Sequence, residues 1–306
     1  MDGTKRYAGI NLTASRFQLV EVEKTSNQLL ITNLAQTFIS PSITFEGQAE
    51  TSLAIQLQTA FDEINIRNPV SSPVVSFTLP PELFITIQLP YDNNLNQNEI
   101  TEEFRWEISQ LFPFIKADEL AIKYYELGKN ILPGNFNALV VALNKKYLLL
   151  LKNFCTKNNF SARLVDNASL SANGFINKYL STGSLDVINI FNSRNSLTLF
   201  INIASRQSYV KVFQKKSEDL IDLFNGEFSL LKDKEGFNKA GKIALITGDE
   251  IEAELLSDIN QASGLDFKAF NPFEIIKLKA EFQPPGISAE QYYTFTAATG
   301  IAARFN

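Results

Sequence analysis

A chain of 306 residues with 45% hydrophobic and 20% charged residues has an ordinary globular composition, and its length predicts two domains rather than one small core. The net charge of -5, with no lysine- or arginine-rich block, excludes the footprint of a general nucleic-acid binder. Histidine is absent, which excludes Ser-His and Cys-His nucleophile pairs and His-ligated metal.

The N-terminal "MDGTKRYAGINLT" has two basic residues with no apolar run behind them, so no signal peptide is expected. No window approaches the length of a membrane span. A cytoplasmic protein is expected, touching a membrane only through partners. "YAGINL", "RFQLVEVE" and "QLLITNLAQTF" alternate as three strands joined by turn residues. "TSLAIQLQTAFDEINI" reads as an amphipathic helix on Leu53, Ile55, Leu57, Ala60, Phe61 and Ile64, and "VVSFTLP" as a buried strand.

The texture changes near Leu79. "LFITIQL" predicts a strand hemmed by prolines. "QNEITEEFRWEISQLFPF" predicts a helix with Ile100, Phe104, Ile108 and Leu111 as its buried stripe and Pro113 as its stop. "LAIKYYELG" and "NFNALVVAL" are two further strands. Trp106 lies off the stripe and is expected to pack in the core, covering the sheet edge or marking a contact surface being the alternatives. This strand-helix-strand-strand block reads as a compact insertion over residues 80–143. "KKYLLLLKNFCTKNN" is a helix holding Cys155, the lone cysteine, as a buried, unreactive thiol. One free cysteine suits a reducing compartment. "FSARLVD" is a strand whose Asp166 is expected to cap the next helix, "NASLSANGFINKYL".

A second meander follows, "VINIF", "LTLFINI" and "SYVKVF". Then come a helix ("SEDLIDLFNGEFSLL"), the strand "KIALIT", a helix from "DEIEAELLSDINQAS", and a closing small-residue helix in "SAEQYYTFTAATGIAARF". The opening "INLTASRFQL" and the later "INIFNSRNSL" fall in register, so that Asn11, Ser15 and Arg16 match Asn189, Ser193 and Arg194. The chain repeats a meander, helix and strand, which is the pattern of a duplicated α/β domain with a cleft between its halves.

Hairpin tips in such a cleft hold phosphate when a glycine lets the backbone approach and a strand-end aspartate carries Mg²⁺. Here the aspartate positions are Asn11 and Asn189. The tips read Thr13, Ala14, Ser15, Arg16 and Asn192, Ser193, Arg194, Asn195, with no glycine. Gly248 stands alone after "KIALIT", and Asp249 and Glu250 are expected to open the following helix at its dipole, where they would repel an anion. The plain expectation is that Asn11 and Asn189 bond neighbouring backbone and that Arg16 and Arg194 lie in solvent.

Several segments in order resemble the PilM family, the actin-like cytoplasmic component of type IV pilus assembly related to the cell-division protein FtsA. "AGINLTASRFQLVEVE" stands where the family has G-I-D-I-G-x-x-x-x-K-x-V-E. Arg105, Trp106 and Glu107, the Pro113-Phe114 stop, "NALVVAL" before a long helix, Asn271-Pro272-Phe273 and "TFTAATGIAAR" are similar to family segments. The resemblance implies an α/β, actin-like (ribonuclease H-like) duplicated domain with a small inserted α+β subdomain. Its parts would be residues 1–79, 80–143 (the insertion), 144–185, 186–287 and 288–306. It also implies a PilN-like inner-membrane partner. That partner's cytoplasmic N-terminal tail would lie in a groove between the first domain and the insertion, where Phe84, Ile85, Ile87 and Trp106 would supply pockets.

The departures from the family pattern gather at the nucleotide positions. Asn11, Thr13, Asn189 and Asn192 replace Asp and Gly, the family's glycine pair after the second meander is missing, and Phe213 to Gly241 leaves room for one helix and a loop. The expectation is therefore a non-catalytic scaffold with no cofactor and no metal. The alternatives are an ATPase or small-molecule kinase using Arg16, Arg194 and Asp166, or a generic α/β binding protein.

Overall fold

In the computed structural model the described residues are 4–304, except 27, 91, 93, 128–136, 181–184, 204–205, 217–218, 233–240, 283 and 285. Alternating apolar residues form strands β1 (Lys5–Leu12), β2 (Arg16–Lys24) and β3 (Leu29–Phe38), followed by helix α1 (Glu50–Arg67) and strand β4 (Val74–Leu79). Strand β5 (Phe84–Pro90), helix α2 (Gln97–Leu111) and strands β6 (Leu120–Glu126) and β7 (Asn137–Asn144) come next. Helix α3 (Lys145–Lys157), strand β8 (Ser161–Asn167) and helix α4 (Ala168–Leu180) lead to the second meander, β9 (Leu185–Asn192), β10 (Ser196–Ile203) and β11 (Arg206–Gln214). The remaining elements are α5 (Leu220–Lys232), β12 (Gly241–Gly248), α6 (Ala253–Ser263), the two-residue β13 (Lys268–Ala269) and α7 (Thr296–Ala302).

Two 5-stranded sheets share one design. The first runs β3-β2-β1-β4-β8 and the second β11-β10-β9-β12-β13, each an antiparallel meander continued by parallel strands. On one face of the first sheet Ile10, Leu12 and Leu19 meet Leu57 and Phe61 of α1 and Leu151 and Phe154 of α3. On its other face Val20, Val22, Ile31 and Leu34 share a core with Val187 and Leu245 of the second sheet and with Phe295, Ala298 and Ala302 around α7. This shared core joins the halves. The far face of the second sheet is covered by Phe224 and Phe228 of α5 and Ile259 of α6.

A 3-stranded sheet, β5-β7-β6, forms the inserted block. Its central strand is buried on both faces. Ala138, Val140 and Ala142 pack on Ile100, Phe104 and Ile108 of α2, while Leu139 and Val141 pack on Phe191, Phe200 and Val210 of the second half. The insertion is thus wedged between its own helix and the second half. Asn96 and Glu99 form a reciprocal cap that starts α2.

Four expectations on burial and boundaries need correction. Leu111 is 54% and Trp106 60% exposed, so the stripe of α2 ends at Ile108 and the tryptophan lies outside the core. Ile55 is 66% exposed, because the face of α1 that it occupies flanks an open groove shared with α3 rather than the sheet. Residues 289–295 of the closing segment form a 3-10 turn, and only Thr296–Ala302 is α-helix.

Cys155 is buried, and burial pushes its thiol up to about 11. The thiolate is the reactive form. At pH 8 a thiol reagent is therefore expected to modify the native chain only as fast as it opens, and urea to accelerate the reaction sharply. Rapid stoichiometric labelling of native protein would contradict this burial.

Candidate functional site

The two hairpin tips line one cleft, and their turns are built alike. Thr13 N–H donates to the Arg16 carbonyl at 2.9 Å, and Ser193 N–H to the Ser196 carbonyl at 2.9 Å. Ile39 N–H donates to Ser15, and Lys215 N–H to Asn195, each at 2.8 Å. Thr13 therefore corresponds to Ser193 and Arg16 to Ser196. The register read from sequence, which matched Arg16 with Arg194, is displaced by two residues. In the observed register Asn11 faces the position of Phe191, not of Asn189.

Neither asparagine follows the expected backbone pairing. Asn11 Nδ2 donates to Gln18 Oε1 at 2.9 Å, and its Oδ1 accepts from Thr78 Oγ1 at 2.9 Å. Asn189 Oδ1 accepts from Thr247 Oγ1 at 3.2 Å, while its buried Nδ2 has no hydrogen-bond partner among the described residues. These are side-chain bridges between strands. They tie β1 to β2 and β4, and β9 to β12.

The first tip is set by Thr13, whose Oγ1 accepts from the N–H groups of Arg16 (3.0 Å) and Ser15 (3.3 Å). Arg16 is not in solvent. Its side chain is 7% exposed and reaches the second half, with Nη2 at 2.5 Å from Asp249 Oδ1 and Nη1 at 3.2 Å from Glu250 Oε1. Arg194 is exposed, as the plain expectation had it. Asp249 and Glu250 do not open a helix, since α6 begins at Ala253 after an N-cap at Glu252. Burial pushes the Asp249 carboxyl up from its ordinary value, and the Arg16 guanidinium opposes that shift.

The second tip is stitched to the same connection. Asn192 Nδ2 donates to the carbonyls of Asp249 and Glu250, both at 2.9 Å, and Asp249 N–H donates to the Asn192 carbonyl at 2.7 Å. Gly248 makes this close approach possible. Its φ is +95°, and a Cβ there would stand 2.1 Å from the Asn192 oxygen. The glycine serves the hairpin contact. Ser193 Oγ donates to Glu82 Oε1, which also accepts from Asn195 N–H at 3.2 Å and Ser196 Oγ at 3.3 Å.

Asp166 does not cap α4. Asn167 does so, its Oδ1 accepting from Ser169 N–H at 2.9 Å, while Asp166 is ion-paired with Arg304. Thus Arg16 and Asp166 are already committed to opposite charges.

An open cavity of about 910 Å³ begins at these tips and runs along the insertion. One wall is Ile43 to Glu46 of the first half. The other is Phe84, Ile85, Thr86 and Ile87 of β5 with Phe112 and Ile115 after α2. Strand β5 pairs only with β7 among the described residues, so it is a sheet edge. Trp106 is not part of this wall. Sequence reasoning missed Glu82, Ile43, Phe45, Phe112 and Ile115. No local pattern marks Glu82, whereas the apolar residues left over around Pro113 were a usable signal.

A family model described as type IV pilus assembly protein PilM matches residues 9–218. Among solved structures, the PilM-PilN type IV pilus biogenesis complex superposes with a TM-score of 0.71 at 16% identity, covering 97% of each chain. A protein of unknown function with an actin-like ATPase fold from Bacteroides thetaiotaomicron gives 0.53 at 16% identity, over 86% of this chain and 90% of that one. The cytoplasmic domain of EpsL, an inner membrane component of the type II secretion system of Vibrio cholerae, gives 0.50 at 10% identity, over 99% and 97%. No match is found among curated protein sequences. The duplicated sheets and the inserted block are those of the actin-like fold, and the chain belongs to the type IV pilus assembly PilM family.

Proposed function

We propose that this chain is a non-catalytic, cytoplasmic scaffold at the inner face of the inner membrane. It would serve a type IV pilus or type II secretion-like assembly by holding the cytoplasmic N-terminal tail of a PilN-like membrane protein. The observation that carries this reading is the groove between Ile43 and Phe45 on one side and β5 with Phe112 and Ile115 on the other. An extended peptide gains affinity from main-chain hydrogen bonds at a free strand edge, and the apolar side chains on either side select its residues. The solved complex of a PilM with a PilN supports the choice of partner. No helix among the described residues is long and apolar enough to cross a membrane.

Calorimetry of the full chain with a synthetic partner tail tests this. Ile115 is 37% exposed on the groove wall, so Ile115→Asp removes an apolar contact with little effect on folding. It is expected to weaken binding by about tenfold or more, a loss of ~1.4 kcal/mol. Trp106→Ala, outside the groove, is expected to leave affinity unchanged. Equal binding by Ile115→Asp and the parent would place the tail elsewhere.

The absence of nucleotide turnover is part of the same proposal. A charge-assisted contact contributes roughly 1.5–3 kcal/mol. The tips keep neither an aspartate nor a glycine, and their donors already hold Glu82, Asp249 and Glu250. Millimolar ATP with Mg²⁺ is expected not to raise the melting temperature. Asn11→Asp is expected to release no phosphate above the parent. A dose-dependent rise in melting temperature would favour the enzyme reading instead.

A further inference from the structure

Two hydroxyls and a backbone N–H converge on a single carboxylate oxygen at the tip of the second hairpin. Ser193 Oγ and Asn195 N–H donate to Glu82 Oε1, and Ser196 Oγ, 3.3 Å from the same oxygen and 2.9 Å from Ser193 Oγ, shares its single proton between them. Both serines are almost fully buried. Such a cluster of donors is a cradle for one oxyanion oxygen. The carboxylate filling it comes from the other side of the cleft, from the short 3-10 turn Pro81–Leu83 that leads into β5.

The opposite tip repeats the arrangement with the roles exchanged. Arg16 of the first hairpin reaches Asp249 and Glu250 of the second half. Each half thus presents donors at its hairpin, and each supplies the acid that the other hairpin binds. A guanidinium as deeply buried as Arg16 cannot be left unpaired without a large penalty, so this contact holds the halves in register. At the hairpin tips the contacts crossing the cleft are therefore charged, directional and reciprocal, unlike the apolar packing of Leu139 and Val141 on the second half and the core around α7.

We propose that these contacts form an internal latch. Glu82 is a built-in ligand of the oxyanion cradle, the Arg16 cluster ties the other side, and the two halves stay in register across the cleft with no bound anion. The latch stands independently of partner binding, and it also fixes the mouth of the groove, because Glu82 lies in the turn directly before Phe84, the first residue of β5.

Spin labels on exposed Glu46 and Lys216, one on each half, test it by double electron–electron resonance in a Cys155→Ala background. The parent is expected to give one narrow distance distribution that millimolar inorganic phosphate or pyrophosphate leaves unchanged. Glu82→Gln with Arg16→Gln is expected to lengthen and broaden it. If that pair fails to fold by circular dichroism, Ser193→Ala with Ser196→Ala removes both hydroxyls of the cradle without stranding the Arg16 charge, and the same broadening is expected. A parent already broad, or one that narrows on adding phosphate, would overturn the latch, as would folded variants that keep the parent's distribution. No partner is present in this measurement, so its failure would leave the tail-binding proposal standing.

Discussion

Gly9→Ala is expected to destabilise the chain by about 3 kcal/mol or more, an effect read from urea denaturation. A Cβ on Gly9 would lie 2.2 Å from the Ala298 carbonyl oxygen and 2.8 Å from the Ala302 nitrogen. Both are backbone atoms of α7, so relief requires lifting the whole helix off β1. Gly300→Ala is expected to behave alike, since its Cβ would stand 2.5 Å from the Ser171 carbonyl oxygen of α4. Gly226 in α5 is the contrast. Nothing lies within 4 Å of its Cβ position, and alanine there is expected to stabilise by about 0.5–1 kcal/mol through helix propensity. A Gly9→Ala chain as stable as the parent would mean that α7 does not sit on β1 in solution.

Arg16→Ala is expected to destabilise by about 3 kcal/mol, the lower end for a broken buried pair, because the Asp249 side chain keeps one-quarter of its surface exposed. The loss comes from the acid left behind more than from the bond removed. Adding Asp249→Asn is therefore expected to restore part of it. The pH dependence follows from the direction of the Asp249 shift. Its folded-state value is raised, so the folded chain binds this proton more readily than the unfolded chain. The site's contribution to stability falls as pH rises from the ordinary carboxylate value through the raised one, and is flat above. Without Arg16, which lowers that value, the fall continues to higher pH. The gap between parent and variant is thus expected to be widest near neutrality and to shrink in acid, where Asp249 is neutral. A gap that stays constant with pH would sink the assignment of the loss to Asp249.

The architecture was legible because it rests on local patterns. Alternation located both meanders, and Phe104 and Ile108 placed α2 on its sheet. What failed was whatever those patterns leave undetermined. A slip of two residues between the hairpins keeps every side chain on its proper face, so the alternation of "INLTASRFQL" and "INIFNSRNSL" could not fix the register; the turn hydrogen bonds did. A helical stripe says which face is apolar but not how far the neighbour extends, which is why Leu111 and Ile55 are exposed. Asp249 and Glu250 fit the opening of a helix by residue type alone, yet they answer a distant arginine. Glu82 had no local signal, since its partners lie across the cleft. The groove was half visible: Phe84, Ile85 and Ile87 line it, whereas Trp106 stands apart and the wall from Ile43 to Phe45 went unread.

The seating of α7 on β1 also constrains how the chain matures as it is made. Val20, Val22, Ile31 and Leu34 leave the ribosome early, but the core they join is completed by Phe295, Ala298 and Ala302 near the end of the described residues. The first half therefore cannot fold as a finished unit ahead of the second. A nascent chain halted before Phe295 keeps an apolar face of its first sheet wet, and that face is exposed to chaperones and to other unfinished copies until the closing helix arrives.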